Sequence, residues 1–100
     1  MIAKGCTCKN TFSIPFAESD IKSIFITYTE KGKTIIEKTL DDCVFSGNSV
    51  SVILTQEDTL KFANHEFVKV QIRVKLNNGT LTKSKIVETY TDTILKNEVI

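Results

Sequence analysis

From Glu66 to Thr82 the chain reads EFVKVQIRVKLNNGTLT, and the alternation in its first half leaves few folds open. Val68, Val70, Ile72, Val74 and Leu76 alternate with Lys69, Gln71, Arg73 and Lys75. Successive side chains on a strand point to opposite faces, so this is a half-buried β-strand, apolar on one side and charged on the other. Asn78-Gly79 follows directly and is a strong hairpin signal, because these residues accept the positive φ that a tight turn requires. One face of the strand must pack against a second layer, and the other meets water. The pattern constrains the fold and carries no chemistry.

The remainder of the chain repeats this theme in shorter pieces. Asn10–Pro15 alternates Phe12 and Ile14 with polar residues and reads as a first strand, placed at an edge because Pro15 cannot donate to a ladder. Residues 1–9 read as a polar lead-in, free to fray. Glu18-Ser19-Asp20 makes a turn. Ile21–Glu30 is rich in β-branched and aromatic residues and reads as the second strand. Ile24, Ile26 and Tyr28 share one of its faces. Phe25, Thr27 and Thr29 share the other, which makes Phe25 either partly exposed or a contact to another layer. Lys31-Gly32 turns the chain into Lys33–Leu40, which Asp41-Asp42 ends. Cys43–Ser46 and Asn48–Leu54 flank Gly47 as a further hairpin, with Val50, Val52 and Leu54 facing one way.

Thr55-Gln56-Glu57-Asp58 has capping-box spacing and predicts a short helix to about Phe62 that buries Leu60 and Phe62. A last strand is expected over 81–90, and Thr91–Lys96 reads as a helical turn or a ragged strand end. Seven or eight short strands with turn signals at intervals of roughly 8–12 residues predict an antiparallel β-sandwich, immunoglobulin-like in outline, with one short helix near residues 56–62. A closed barrel is the main alternative. A parallel sheet has no room for its crossover helices.

The 100 residues fit one domain, 1–100, able to bury roughly 60–70% of its unfolded surface. Thirteen basic and twelve acidic residues leave a net charge of +1, so no bulk charge draws the chain to nucleic acid or to an anionic membrane. No apolar run approaches the ~20 residues needed to cross a bilayer. MIAKGCTCKN lacks the apolar core of a signal peptide, so secretion by that route is not expected, and the chain is expected to be made and kept in a cytoplasm or assembled into something there. Three cysteines, Cys6, Cys8 and Cys43, are an odd number and do not build a disulfide framework.

The candidates for chemistry are few. Cys6, Cys8 and Cys43 could ligate zinc, but the spacer of roughly two to four residues found in zinc sites is missing and there is no second pair. As free thiols in a reducing compartment they need no metal, and Cys43 leads into an apolar stretch as a small buried hydrophobe would. His65, the one histidine, would need Cys43 or Cys8 brought to it in space to form a nucleophilic pair; otherwise it is a solvated loop residue. Asp41-Asp42 reads as turn chemistry rather than a calcium site, which needs more oxygen ligands. Lys69, Arg73 and Lys75 form a basic stripe that Lys83 and Lys85 extend. The stripe suits an anionic partner, or equally a solvated sheet face or a lysine-guarded edge. It lacks the interleaved aromatics of single-strand nucleic-acid binders.

Several segments together resemble a family of small proteins encoded among the structural genes of bacteriophages and prophages of low-GC Gram-positive bacteria. Lys4-Gly5-Cys6-Thr7-Cys8 leading into TFSIPF (Thr11–Phe16) carries the resemblance, as does SDIKSIFITYTEKGKTIIEK (Ser19–Lys38). DDCVFSGNSVSVILTQEDTLKF (Asp41–Phe62) is its most recognisable part. VKVQIRVKLNNGTLTKSKI (Val68–Ile86) is similar to the family's last hairpin and ILKNEVI (Ile94–Ile100) to its ending. The layout is more distantly similar to the N-terminal sandwich of phage baseplate upper proteins. Cys6 and Cys8 stand where the family usually carries threonines.

The resemblance implies a non-enzymatic virion structural protein of the tail, baseplate or another particle component. It would act by self-association or by docking other phage structural proteins, in the virion or in the bacterial cytoplasm before assembly. It implies no catalytic residue, metal or cofactor, and no nucleic-acid or membrane partner. Phe25, Phe67, Lys69, Arg73 and Lys75 are the expected contact surface. The alternative reading is a small ligand- or carbohydrate-binding β-sandwich module, against which the absence of tryptophan counts.

Overall fold

A computed structural model describes residues 2–63, 66–83 and 87–90. Within them run β1 (Cys8–Ser13), β2 (Ile21–Glu30), β3 (Lys33–Thr39), β4 (Cys43–Ser46), β5 (Ser49–Leu54), β6 (Phe67–Leu76), β7 (Leu81–Lys83) and β8 (Val87–Tyr90). Among the described residues one α-helix, α1 (Gln56–Leu60), lies between β5 and β6, and single 3-10 turns span Glu18–Asp20 and Leu40–Asp42. One sheet has the order β1-β5-β4. The other has the order β3-β2-β6-β7, with β8 also paired to β6. Every pairing is antiparallel.

This is an immunoglobulin-like sandwich: β1, β5 and β4 occupy the places of strands B, E and D, and β3, β2, β6 and β7 those of C′, C, F and G. Within the strand expected over 81–90, the described residues form β7 and β8, both antiparallel to β6; residues 84–86 between them lie outside the described residues. Thr91–Lys96 lies outside the described residues.

The alternation sorts the side chains as expected. Ile24, Ile26 and Tyr28 of β2 and Val68, Val70, Ile72 and Val74 of β6 are buried together with Val50, Val52 and Leu54 of β5. The chain turns between β2 and β3 with positive φ at both Lys31 (52°) and Gly32 (78°), the pairing whose twist suits a two-residue hairpin.

The sheets are also joined by a polar contact. Tyr28, on the strand where antibody domains carry a buried tryptophan, is 1% exposed and packs its ring 6.1 Å from that of Phe62. Its hydroxyl accepts a hydrogen bond from Asn10 Nδ2 of the opposite sheet at 3.0 Å. Burial pushes the Tyr28 hydroxyl far above its ordinary range, so it stays protonated. All three cysteines are free, so this hydrogen bond and the apolar layer hold the sheets together without a disulfide.

The polar lead-in is anchored rather than loose. Ile2 is 1% exposed and belongs to the core, and β1 begins at Cys8, two residues earlier than expected. The Thr59 hydroxyl accepts from the Gly5 amide at 3.0 Å and shares its proton between the carbonyls of Cys6 (2.9 Å) and Gln56 (3.1 Å). Thr59 is therefore the fully buried residue of α1, while Leu60, expected there, is only half-buried. Phe62 is buried just after the helix, as the pattern predicts.

The capping box is formed. The Thr55 hydroxyl accepts from the Asp58 amide at 3.2 Å, and Asp58 Oδ2 accepts from the Thr55 amide at 3.0 Å. The same oxygen takes a 2.9 Å bond from Lys38 Nζ, with both side chains only 15% exposed. Burial alone would raise the Asp58 carboxyl. The Thr55 amide and the Lys38 ammonium outweigh it and hold the group below its ordinary value.

Two predictions follow from these contacts. Tyr28→Phe leaves the Asn10 amide facing the interior without its acceptor and should cost about 1–2 kcal/mol in urea unfolding, with Asn10→Val/Tyr28→Phe recovering part of the loss. Equal costs for the single and double variants would remove the hydrogen bond from the explanation. For Asp58, a folded value below the unfolded one means that stabilisation is full above the ordinary carboxylate range. It is lost as pH falls through the folded value. Asp58→Asn should cost about 1 kcal/mol near neutral pH, with the gap to the parent closing in strong acid. A gap that stays constant down to pH ~2 would show that the charge contributes nothing.

Candidate functional site

The outer face of the five-stranded sheet is set by cross-strand register. Phe25 of β2 lies opposite Thr39 of β3 and Arg73 of β6, and Arg73 lies opposite Lys83 of β7. One row away, Ser23, Lys75 and Leu81 are aligned across the same three strands β2, β6 and β7. In the other direction Glu37, Thr27 and Gln71 form a row, followed by Thr29, Lys69 and Glu88.

Of the residues expected at a contact surface, Phe25, Arg73 and Lys75 come together. They share a shallow depression of about 110 Å³ with Ser23, Val74, Leu81 and Thr82. Lys69 stands apart, in a row with Glu88 of β8. Phe67 is 63% exposed but sits six residues from Arg73 along β6, roughly 20 Å away, so it belongs to a different spot on the same face. Lys85 and His65 lie outside the described residues.

The residue that sequence reading passed over is Leu81. It is 67% exposed and walls the depression opposite Phe25. Its place was readable from the turn. The Leu76 amide donates to the Thr80 carbonyl at 2.9 Å and the Gly79 amide to the Leu76 carbonyl at 2.9 Å, which fixes Lys75 opposite Leu81 and Arg73 opposite Lys83. The depression thus has two apolar walls and two cations, Arg73 and Lys75, in its lining, with Lys83 next to it on β7 opposite Arg73. Among the described residues Arg73, Lys75 and Lys83 form no ion pair.

A larger open hollow of about 330 Å³ lies at one end of the sandwich, between Phe16, Asp20, Leu76, Asn77 and Asn78. Its polar groups close turns. The Asn77 amide donates to the Asp20 carbonyl at 2.9 Å, Asn77 Nδ2 donates to the Ser19 carbonyl at 2.6 Å, and Asn78 Oδ1 accepts from the Thr80 amide at 2.9 Å. The outer face of the three-stranded sheet exposes Val44 and Ile53 beside a Thr11–Ser51 hydroxyl pair at 2.9 Å.

The remaining candidates resolve into local structure. Asp42 Oδ2 accepts from the Thr39 amide at 3.0 Å and hydroxyl at 3.3 Å, repeating at 39–42 the Thr-x-x-Asp arrangement of 55–58. The Cys43 thiol donates to the Thr39 carbonyl at 3.2 Å, and burial, reinforced by Asp42, pushes it up to about 11. Cys6 is exposed, and Cys8 is half-buried with its sulfur 4.0 Å from Asn10 Oδ1. Among the described residues no three His, Cys, Asp or Glu side chains gather as a metal site would require. No described helix is long and apolar enough to cross a membrane.

No protein-family model matches the sequence, and no curated protein matches it.

The thiols should separate by reactivity. With a maleimide reagent at pH 7.5, mass spectrometry is expected to find Cys6 modified first and Cys43 modified only when the protein is unfolded, since the thiolate is the reacting form. Native labelling of Cys43 at the rate of Cys6 would contradict its burial and its raised value.

Proposed function

We propose that this chain is a non-enzymatic structural protein of a phage or prophage particle, in the tail, the baseplate or another virion component. On this reading it acts by docking other particle proteins or copies of itself through its sheet faces. The observation that carries it is the outer face of the five-stranded sheet. Phe25, Leu81 and Phe67 are exposed there on an open surface with Arg73, and exposed aromatic residues and arginine are the types enriched at protein contacts. The sequence resemblance to phage structural proteins supplies the biological setting.

The alternative is a small ligand- or carbohydrate-binding module. The depression, at about 110 Å³, falls well short of the roughly 300 Å³ and more of typical small-molecule pockets. The open hollow of about 330 Å³ beside Phe16 and Leu76 reaches that size, but Asn77 and Asn78 there are engaged in closing turns. The test is to induce particles from a host carrying this gene, purify them on a density gradient and digest them for mass spectrometry. Peptides of this chain are expected at a stoichiometry that survives washing. Particles without them, together with a strictly monomeric protein in solution, would overturn the assembly reading.

A further inference from the structure

We infer that the Phe25–Leu81 depression is a socket for an acidic and apolar segment of a different protein, in which a carboxylate meets Arg73, Lys75 and Lys83 while a neighbouring apolar side chain enters between Phe25 and Leu81. This rests on the assembly reading and names the chemistry of the partner.

Three observations carry it. First, the volume suits one side chain: about 110 Å³ accommodates a leucine-sized group and not a sugar or nucleotide. Second, Arg73 and Lys83 are directly opposite across β6 and β7, with Lys75 two residues along on the same face. Like charges facing each other across strands are unfavourable, and none of these three has an ionic partner among the described residues. A carboxylate placed between them relieves that repulsion, and arginine can hold it through two parallel bonds. Third, the cations are confined. Glu37 and Glu88 lie on the same face, in the rows of Gln71 and Lys69, two and four residues along β6 from Arg73. A phosphate backbone running over the sheet would meet those carboxylates.

A second copy of this chain is a poorer occupant. The described face carries Lys69, Arg73, Lys75 and Lys83 against Glu37 and Glu88, so two such faces brought together repel. The outer face of the three-stranded sheet offers Val44 and Ile53 with Lys9 as its strand charge, and no carboxylate from β1, β4 or β5.

The probe is a synthetic peptide of alternating glutamate and leucine, titrated into the full chain and followed by backbone amide NMR at low ionic strength. Saturable shifts are expected at residues 23–25, 73–75 and 81–83, weakening at least fivefold in 0.5 M salt. The matching glutamine–leucine peptide should produce none. Lys83→Glu separates a binding role from a structural one: it should raise Tm by replacing a like-charge pair with an opposite pair, while reducing peptide affinity tenfold or more. Leu81→Ser should weaken binding with Tm nearly unchanged.

Equal binding of the glutamine peptide, equal or tighter binding of a single-stranded oligonucleotide, or a self-dimer abolished by Leu81→Ser would each overturn the inference. So would a Lys83→Glu variant that binds the peptide as the parent does. Failure of all peptide binding while the chain is still found in purified particles would sink this socket alone and leave the assembly reading standing.

Discussion

The antiparallel pairing of β2 with β6 is the contact on which the other strands depend. These are the two ten-residue strands, paired from Ile21–Leu76 to Thr29–Lys69. β3 is attached to β2, and β7 and β8 to β6. The pairing also decides what each face contains. Because side chains alternate, one register places Ile24, Ile26 and Tyr28 beside Val74, Ile72 and Val70 inside, and Phe25, Thr27 and Thr29 beside Arg73, Gln71 and Lys69 outside. A slip of one residue would send the charged row into the core, at several kcal/mol per ion. The core and the candidate contact surface are thus two consequences of one register.

Much of the fold was legible because period-two alternation and turn chemistry are local signals. Val68–Leu76, Asn78-Gly79 and Thr55-x-x-Asp58 each announce their structure within a few residues. The long-range features were less accessible. Nothing near Asn10 says that its amide will reach Tyr28 across the sandwich. A polar lead-in looks loose until Thr59, distant in sequence, is seen to bind Gly5 and Cys6. Thr59 was passed over in favour of Leu60 because a helix of five residues shows too little of a 3.6-residue period to mark its buried side, and a threonine becomes a good interior residue only when carbonyls surround it. The site divides in the same way. The basic stripe was visible as an alternation, yet that Lys69 shares a row with Glu88 while Arg73 faces Lys83 depends on β8 and β7, which pair with β6 from beyond the turn.

Inside the sandwich, polar groups are handled differently from those on its surface. The Tyr28 hydroxyl, the Thr59 hydroxyl and the Lys38–Asp58 pair are all enclosed to a large extent, and each meets a partner within 3.0 Å. Burial makes an unmet polar group costly, so these contacts specify how the lead-in, α1 and the two sheets fit together. The surface cations face a lesser demand, since water solvates an exposed arginine at little cost. Their like-charge arrangement can therefore persist in the free protein without threatening the fold.

That difference in cost allows one strand to stabilise the core with one face and, in the inferred socket, to meet a partner with the other. The inward row of β6 is committed to the core, where even one lost methylene is felt. Its outward row is nearly free of structural duty, so charge can collect there at a penalty of a few tenths of a kcal/mol per pair, small beside the stability of a domain. A bound carboxylate converts that small penalty into affinity, because the repulsion is removed in the complex and present in the free state. The apolar walls make the conversion selective. Phe25 and Leu81 desolvate whatever sits between the cations, which strengthens a correctly placed charge and disfavours a hydrated one. Alternation thus puts the core and the charged face that carries the inferred socket within one side chain's width of each other.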